Sequence, residues 1–405
     1  MRAGSFSRRL ENRAPLSSLY EFQLDRVTDV APSDGWRWSS RDIDGVVKKR
    51  GRIYPPKHHR GMTMDYYAGI DVSLEASSVC VVDGAGKIVR EAKVASEPEA
   101  LVLFFRSLGF ELTRIGLEAG PLSQWLYTGL KEAGFQMELL ETRHVRDAFK
   151  AMAVKTDRKD ARGIAQLLRL GWFKPVHCKS AAAQEVRALL TARKLVQSKL
   201  YDIEMSLRGI LRGFGLKIGR TTPKRLAGRV AELTRDHPAL KAIAKALIAV
   251  HEALLRELCV FEKQVRLLAK SDRRVRLLMT TPGVGAIVAL TYVSAIDDPG
   301  RFSSSKRVGA HFGLTPKKYQ SGETDITGRI SKTGDAGVRA VLFEAAHIIL
   351  TRPLKGGALK SWALKLSKRA GMKKAKVALA RKLAVILHRM WRDETAFDAA
   401  KASAA

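Results

Sequence analysis

Cysteine is scarce in this chain of 405 residues: Cys80, Cys178 and Cys259 are odd in number and far apart. No C-x-x-C spacing brings two of them together. That excludes a disulfide framework and a cysteine-built zinc site, and it fits a reducing cytoplasm. Long apolar runs are missing as well; the longest, such as 287–296, is much shorter than the ~20 residues of a bilayer span, so no membrane-spanning helix is expected. The first residues carry Arg2, Arg8 and Arg9 with no apolar segment behind them, which excludes a secretory signal there. Repeats at solenoid periods are absent. The largest deficit is in negative charge, with 40 Asp+Glu against 72 Lys+Arg and a formal net charge of +32. Such a surplus exceeds what solubility requires. It suits a polyanion held through phosphate neutralisation, nucleic acid first and an anionic membrane surface second.

What is present is the composition of a folded protein, 46% hydrophobic and 28% charged, long enough for two or three domains. The charge is unevenly spread. Residues 1–63 hold 13 Lys+Arg and 7 Asp+Glu, lack apolar periodicity, and end in a basic run before Pro55-Pro56; they read as a disordered basic leader. Met62 or Met64 is a candidate functional start. Residues 64–150 hold 9 Lys+Arg and 13 Asp+Glu, net −4, whereas residues 151–405 hold 50 and 20, net +30.

From residue 64 the pattern becomes α/β. Tyr67–Val72 and Ser78–Val82 read as strands, and the turn Asp83-Gly84-Ala85-Gly86 leads into a third, Ile88–Val94. A helix over 97–108, a strand at 115–118, a helix over 123–133 and a strand at 136–140 follow. The result is a mixed sheet. Residues 184–212 and 239–270 carry Leu, Val and Ile at helical spacing and read as a helical hairpin or coiled-coil arm. The expected domains are thus 64–183 (α/β), 184–272 (helical arm), 273–352 (mainly α) and 353–405 (basic helices and a disordered tail).

Carboxylates stand out in the first folded segment. Asp71 lies in the apolar strand G-I-D-V-S, where a carboxylate is costly unless it is paired, bound to a metal, or able to reach solvent from a strand end. Glu118 closes the fourth strand before Ala119-Gly120-Pro121. In K-T-D-R-K-D-A-R, Thr156 is placed to cap a helix whose first turn carries Asp157 and Asp160 on one face, and acids there also complement the helix dipole. Together, four acids on two strands and one helix can gather at one sheet end and hold two divalent ions for phosphodiester transfer, with oxygen donors favouring Mg²⁺ or Mn²⁺.

In a second block, Thr281-Pro282-Gly283-Val284-Gly285 reads as a glycine turn between two helices. Gly283 and Gly285 either let backbone N–H groups approach a phosphate, as in a helix-hairpin-helix element, or simply form a tight turn between core helices. Beyond it, G-L-T-P-K-K-Y-Q-S-G-E-T-D-I-T-G-R-I-S-K-T-G-D precedes an apolar helix over 336–350. By itself Ser321 is weak as a nucleophile, since no histidine stands beside it in sequence. Residues 355–392 are a basic amphipathic pair of helices, with Lys373 and Lys374 among their cations and no acid until Asp393; they suit a phosphate backbone, although a charge run is more often a solvated face.

In order, G-I-D-V-S, L-E-A and K-T-D-R-K-D-A resemble the Asp-Glu-Asp-Asp signature of the IS110 family of insertion-sequence transposases, which includes the Piv-type DNA invertases. G-L-x-P, Ser-Gly and G-x-I-x-K-x-G resemble that family's C-terminal signature. The resemblance covers roughly residues 64–370. It implies a ribonuclease H-like, resolvase-like N-terminal domain, with Asp71, Glu118, Asp157 and Asp160 as catalytic metal ligands. It also implies Ser321 as the nucleophile that links covalently to DNA, with Lys317, Lys318, Arg329 and Lys332 near the phosphates. Implied partners are element-end and target DNA and a guide (bridge) RNA, in a bacterial, nucleoid-associated setting; bringing two DNA ends together calls for a homodimer or homotetramer, with the helices from 184 to 270 as the natural interface. Two other functions compete: a ribonuclease H-like nuclease or junction resolvase without serine chemistry, and a non-catalytic nucleic-acid-binding transposase remnant.

Overall fold

The computed structural model describes residues 64–150, 156–353 and 357–399. The leader expected at 1–63 and the last six residues of the tail lie outside the described residues.

Strands β1 (Tyr66–Asp71), β2 (Ala76–Asp83) and β3 (Ile88–Ala95) form an antiparallel meander. Asp83 fixes its second turn, Oδ1 accepting from the N–H groups of Ala85 at 3.0 Å and Lys87 at 2.9 Å. Helix α1 (Pro98–Arg106) leads to β4 (Arg114–Glu118), and α2 (Ser123–Glu132) leads to β5 (Met137–Leu140). Both β4 and its neighbour β5 run parallel to β1, giving the order β3-β2-β1-β4-β5. That order and those directions are those of a ribonuclease H-like sheet, as expected. Alternation assigns its faces. Ala68, Ile70, Val79, Val81, Ile115 and Leu117 point to one side and pack on α1 and α2 through Leu101, Phe105, Leu126 and Leu130. A short helix that the sequence reading did not anticipate, α3 (Thr142–Phe149), precedes α4 (Asp157–Arg169), which covers the opposite face.

Next come two long helices, α5 (Ala181–Arg212) and α7 (Pro238–Ser271), with α6 (Pro223–Leu233) between them. The ion pair Arg193–Glu262 and the contact of His251 with Glu204, 3.2 Å, fix them as an antiparallel hairpin. Each is about 50 Å long at 1.5 Å per residue. Leu207, Leu211, Leu226, Val230, Leu240 and Ala244 close the far end in a small core of its own.

The C-terminal part contains α8 (Arg273–Leu278), α9 (Ala286–Ile296), α10 (Lys306–His311), β6 (Pro316–Ser321), β7 (Thr324–Ile330), α11 (Ala336–Thr351), α12 (Gly357–Ala370) and α13 (Met372–Arg392). Its core runs from Val265 and Ala269 on α7 to Met390 and Trp391 on α13, with α9 buried almost all round. The expected boundary at 352/353 therefore does not divide the structure. Leu379, Leu383, Ile386 and Leu387 sit in this core because α13, although basic, keeps a continuous apolar stripe. Likewise the antiparallel hairpin β6–β7 stands where no strand was expected.

Candidate active site

Strand register brings the first two acids together. Ile70 pairs with Leu117 in the parallel β1–β4 ladder, so Asp71 and Glu118 are the next residues along, on strands about 4.8 Å apart. Both have the parity of Gly69 and Gly116 and so face α4. The helix can lie there because the strands are bare: a Cβ on Gly69 would overlap Ala161 O and Ala165 N, and one on Gly116 would meet the Leu168 side chain. Its direction follows from its other end. Gln166 Nε2 donates to Gly86 O at 2.7 Å and Arg169 Nη1 to Gly84 O at 3.3 Å, in the turn beside the start of β1. The N-terminus of α4, carrying Asp157 and Asp160, therefore lies at the end of β1 where Asp71 is. Thr156 Oγ1 caps it by accepting from the Lys159 N–H at 3.3 Å, as expected. Asp160 is 8% exposed; Asp71 and Glu118 are half-buried and Asp157 is exposed.

Beside the acids, α4 carries two arginines that sequence reasoning passed over. Arg158 and Arg162 both clasp Glu91 on β3, with Arg158 Nε at 2.8 Å from Oε2 and Arg162 Nη2 at 2.9 Å. The hydrogen bonds from Arg162, then those from Arg158, outweigh burial and hold the Glu91 carboxyl down to about 2. The clasp ties the first turn of α4 to the meander and keeps two guanidinium groups on a carboxylate outside the acid group. The signal was in the sequence, as two arginines one helical turn apart and a glutamate inside an alternating strand.

Among the described residues, no three His, Cys, Asp or Glu side chains stand together as a ready metal-holding group. The donor chemistry still fits a hard divalent cation: carboxylate oxygens only, from two strand ends and one helix start, with Asp160 buried. Carboxylates repel until a cation draws them in.

Ser321 stands on another element. It ends β6, pairs with Thr324 across the turn at Gly322 (φ 54°), and every side chain of the hairpin except Ile330 is exposed, including Lys317, Lys318 and Arg329. The base of the hairpin is rigid. Gly313 and Gly334, both at positive φ, lie where a Cβ would overlap Thr333 O and His311 O, so two backbones cross at close quarters. Lys332 sits between them at φ 55°, and Arg339 Nη1 donates to the carbonyls of Phe312, Thr333 and Gly334 at 3.0–3.1 Å. The glycines and the lysine of the second motif thus build the base of the hairpin that carries Ser321.

Gly283, at φ 78°, is packed on Ala345 O and Ile349 of α11, which is the tight-turn alternative; Gly285 leaves open space. Beside this turn an open groove of about 390 Å³ is lined by Arg266, Lys270, Arg276, Met279 and Thr280. Lys373 and Lys374 are exposed in the first turn of α13.

Residues 68–215 match the transposase family denoted DEDD_Tnp_IS110, and residues 275–356 match the family described as Transposase IS116/IS110/IS902. Together the two stretches take in more than half of the chain, in the order expected. The chain belongs to the IS110 family of transposases. It is 29% identical over 357 residues to the transposase for insertion sequence element IS1111A of Coxiella burnetii, covering 85% of this chain and 94% of that protein. It is 26% identical over 343 residues to a probable family 20 transposase of Pseudomonas aeruginosa, covering 81% and 97%. A Thermus thermophilus RuvC structure aligns with 27% of this chain and 99% of its own at 14% identity, with a TM-score of 0.22. So low a score carries no argument; strand order and the family match establish the ribonuclease H-like domain of this transposase. No described helix is long and apolar enough to cross a membrane.

Proposed function

We propose that this transposase cuts and rejoins DNA with its acidic edge holding Mg²⁺ or Mn²⁺ and with Ser321 as the nucleophile. The observation that carries the metal site is the placement of Asp71, Glu118 and Asp160 on one side of one sheet end, in the stretch that matches the family. The ions supply charge neutralisation at the attacking and leaving oxygens. The protein's own part is to place the carboxylates, Asp160 and Asp157 from α4 and Asp71 and Glu118 from the strands, and to keep Arg158 and Arg162 on Glu91. The serine hydroxyl displaces one ester oxygen of the phosphodiester; the serine proton balances the departing oxygen, so the products are a serine joined to DNA through its phosphate and a free hydroxyl strand end, from which rejoining can proceed. Lys317, Lys318, Arg329 and Lys332 hold phosphates along the hairpin. Guidance by an element-encoded RNA belongs to this reading and follows from the family resemblance, and assembly as a homodimer or homotetramer follows from the need to bring two DNA ends together.

The test uses purified full-length protein on element-end DNA with Mg²⁺. Asp160→Asn is expected to lower strand exchange by several kcal/mol of barrier, roughly a thousandfold, with DNA binding kept. Ser321→Ala is expected to remove the trapped DNA–protein link. Cleavage that persists in the serine variant would favour a metal-and-water nuclease.

A further inference from the structure

The region where the N-terminal domain meets the C-terminal core holds a concentration of positive charge that the acidic edge does not use. The joint is firm. Asp297 at the end of α9 accepts from Ser180 Oγ at 2.6 Å, from the Ser180 N–H at 2.9 Å, and meets His177 Nε2 at 2.7 Å. Beside it stand Lys179, just before α5, and Arg187 within that helix, with Arg301 and His311 from the C-terminal side. Arg301 donates through Nε to Ile296 O at 3.1 Å and through Nη2 to His311 Nε2 at 3.2 Å. A guanidinium only donates, so His311 Nε2 accepts and its Nδ1 carries the proton. The ring is neutral: the surrounding protein, then Arg301 and Lys179, push it down to about 4.

The nearby acids are already engaged. Asp297 is held as described, while Asp335 pairs with Arg187 at 2.7 Å and caps α11. Lys179 is half-buried, and among the described residues its ammonium makes no ion pair or hydrogen bond. Burial, then Arg187 and Arg301, lower its proton affinity, and burial lowers that of Arg301. A folded chain with ample open surface keeps like charges together in a half-buried place only against a cost to its own stability. Ammonium, guanidinium and imidazole N–H here are all donors. Their shared complement is an anion with several acceptor oxygens.

We propose that Lys179, Arg301 and His311 form a seat for one backbone phosphate of nucleic acid, placed so that the bound strand touches both domains at their joint. The seat uses neither Ser321 nor the four acids as ligands. Phosphodiesters of DNA and of RNA offer the same chemistry, and separate probes distinguish them.

The experiment compares parent, Lys179→Met and Lys179→Arg, each full length, for binding to a fluorescent duplex DNA and to a fluorescent RNA hairpin across a salt series, with thermal melting of the free proteins. Lys179→Met is expected to melt higher than the parent, because a repelled half-buried charge is gone. It should nonetheless bind one or both probes ~10-fold more weakly, with the slope of log K against log salt reduced by about one. Lys179→Arg should restore most of the binding. Loss with the RNA probe alone assigns the seat to RNA, loss with DNA alone to DNA, and loss with both to either backbone. The proposal is overturned if affinity and slope are unchanged for both probes. It is equally overturned if weaker binding comes with a lower melting temperature and arginine does not rescue, which is the signature of a structural lysine.

Discussion

Glu91 shows how a single residue conditions the acidic edge. Its carboxyl, ordinarily near 4.5, is held down to about 2 by Arg162 and Arg158. A carboxyl with a depressed folded pKa stabilises fully above its unfolded value, and that contribution is lost as pH falls through about 4.5 toward 2. The parent should therefore lose stability over that interval beyond what Glu91→Gln loses. The glutamine variant should melt lower than the parent at pH 7 but with a flatter acid limb, as thermal melts at a series of pH values would read; parallel limbs would refute the assignment. At this scale the sequence was partly legible. Asp71, Glu118, Asp157 and Asp160 showed themselves because carboxylates beside apolar strands and helix starts are conspicuous. Glu91 did not, because an alternating half-exposed strand accommodates a glutamate without comment, and its partners are 67 and 71 residues away.

Among the elements, α4 depends on two bare strand positions. Gly69→Ala would force a methyl into Ala161 O and Ala165 N, both backbone atoms that cannot swing aside, so a loss of at least roughly 1–3 kcal/mol is expected. Because the displaced turn carries Asp160, strand exchange should fall even at temperatures where the variant remains folded, as circular dichroism beside an activity assay would show. Ser321→Ala makes the contrast: at an exposed hairpin tip it should change stability by less than about 0.5 kcal/mol. Apolar periodicity disclosed α5, α7 and α11, since long amphipathic helices write their period into the chain. The hairpin β6–β7 was hidden because almost none of it is buried. Without a core face there is no alternation to read, and its base is set by crossings of Gly313 and Gly334 with distant backbone.

At the scale of the whole molecule, Asp297 ties the C-terminal core to the segment that leads out of the N-terminal domain. Its backbone is at φ 64°, unusual for a residue with a side chain, and its carboxyl bridges Ser180 and His177. Burial acts to raise its pKa, but the bonds from Ser180 and His177 outweigh it and leave it lowered. Asp297→Ala should lower the melting temperature and quicken proteolysis in the segment joining α4 to α5, as limited digestion followed by mass mapping would register; an unchanged digestion pattern would mean that the cores hold together without it. Charge distribution, the division into α/β and helical parts, the order of the acid and serine motifs and the family are properties of the sequence alone, because composition, periodicity and local spacing are carried by neighbouring residues. Only the tertiary structure decided that α4 packs across β1 with its first turn toward the strand end that carries Asp71, and that α13 belongs to the C-terminal core. It alone placed Ser321 on an exposed hairpin and gathered Lys179, Arg301 and His311 at the joint. Each of these depends on contacts between residues tens to more than a hundred positions apart, where packing and electrostatics set the answer and no local pattern records it.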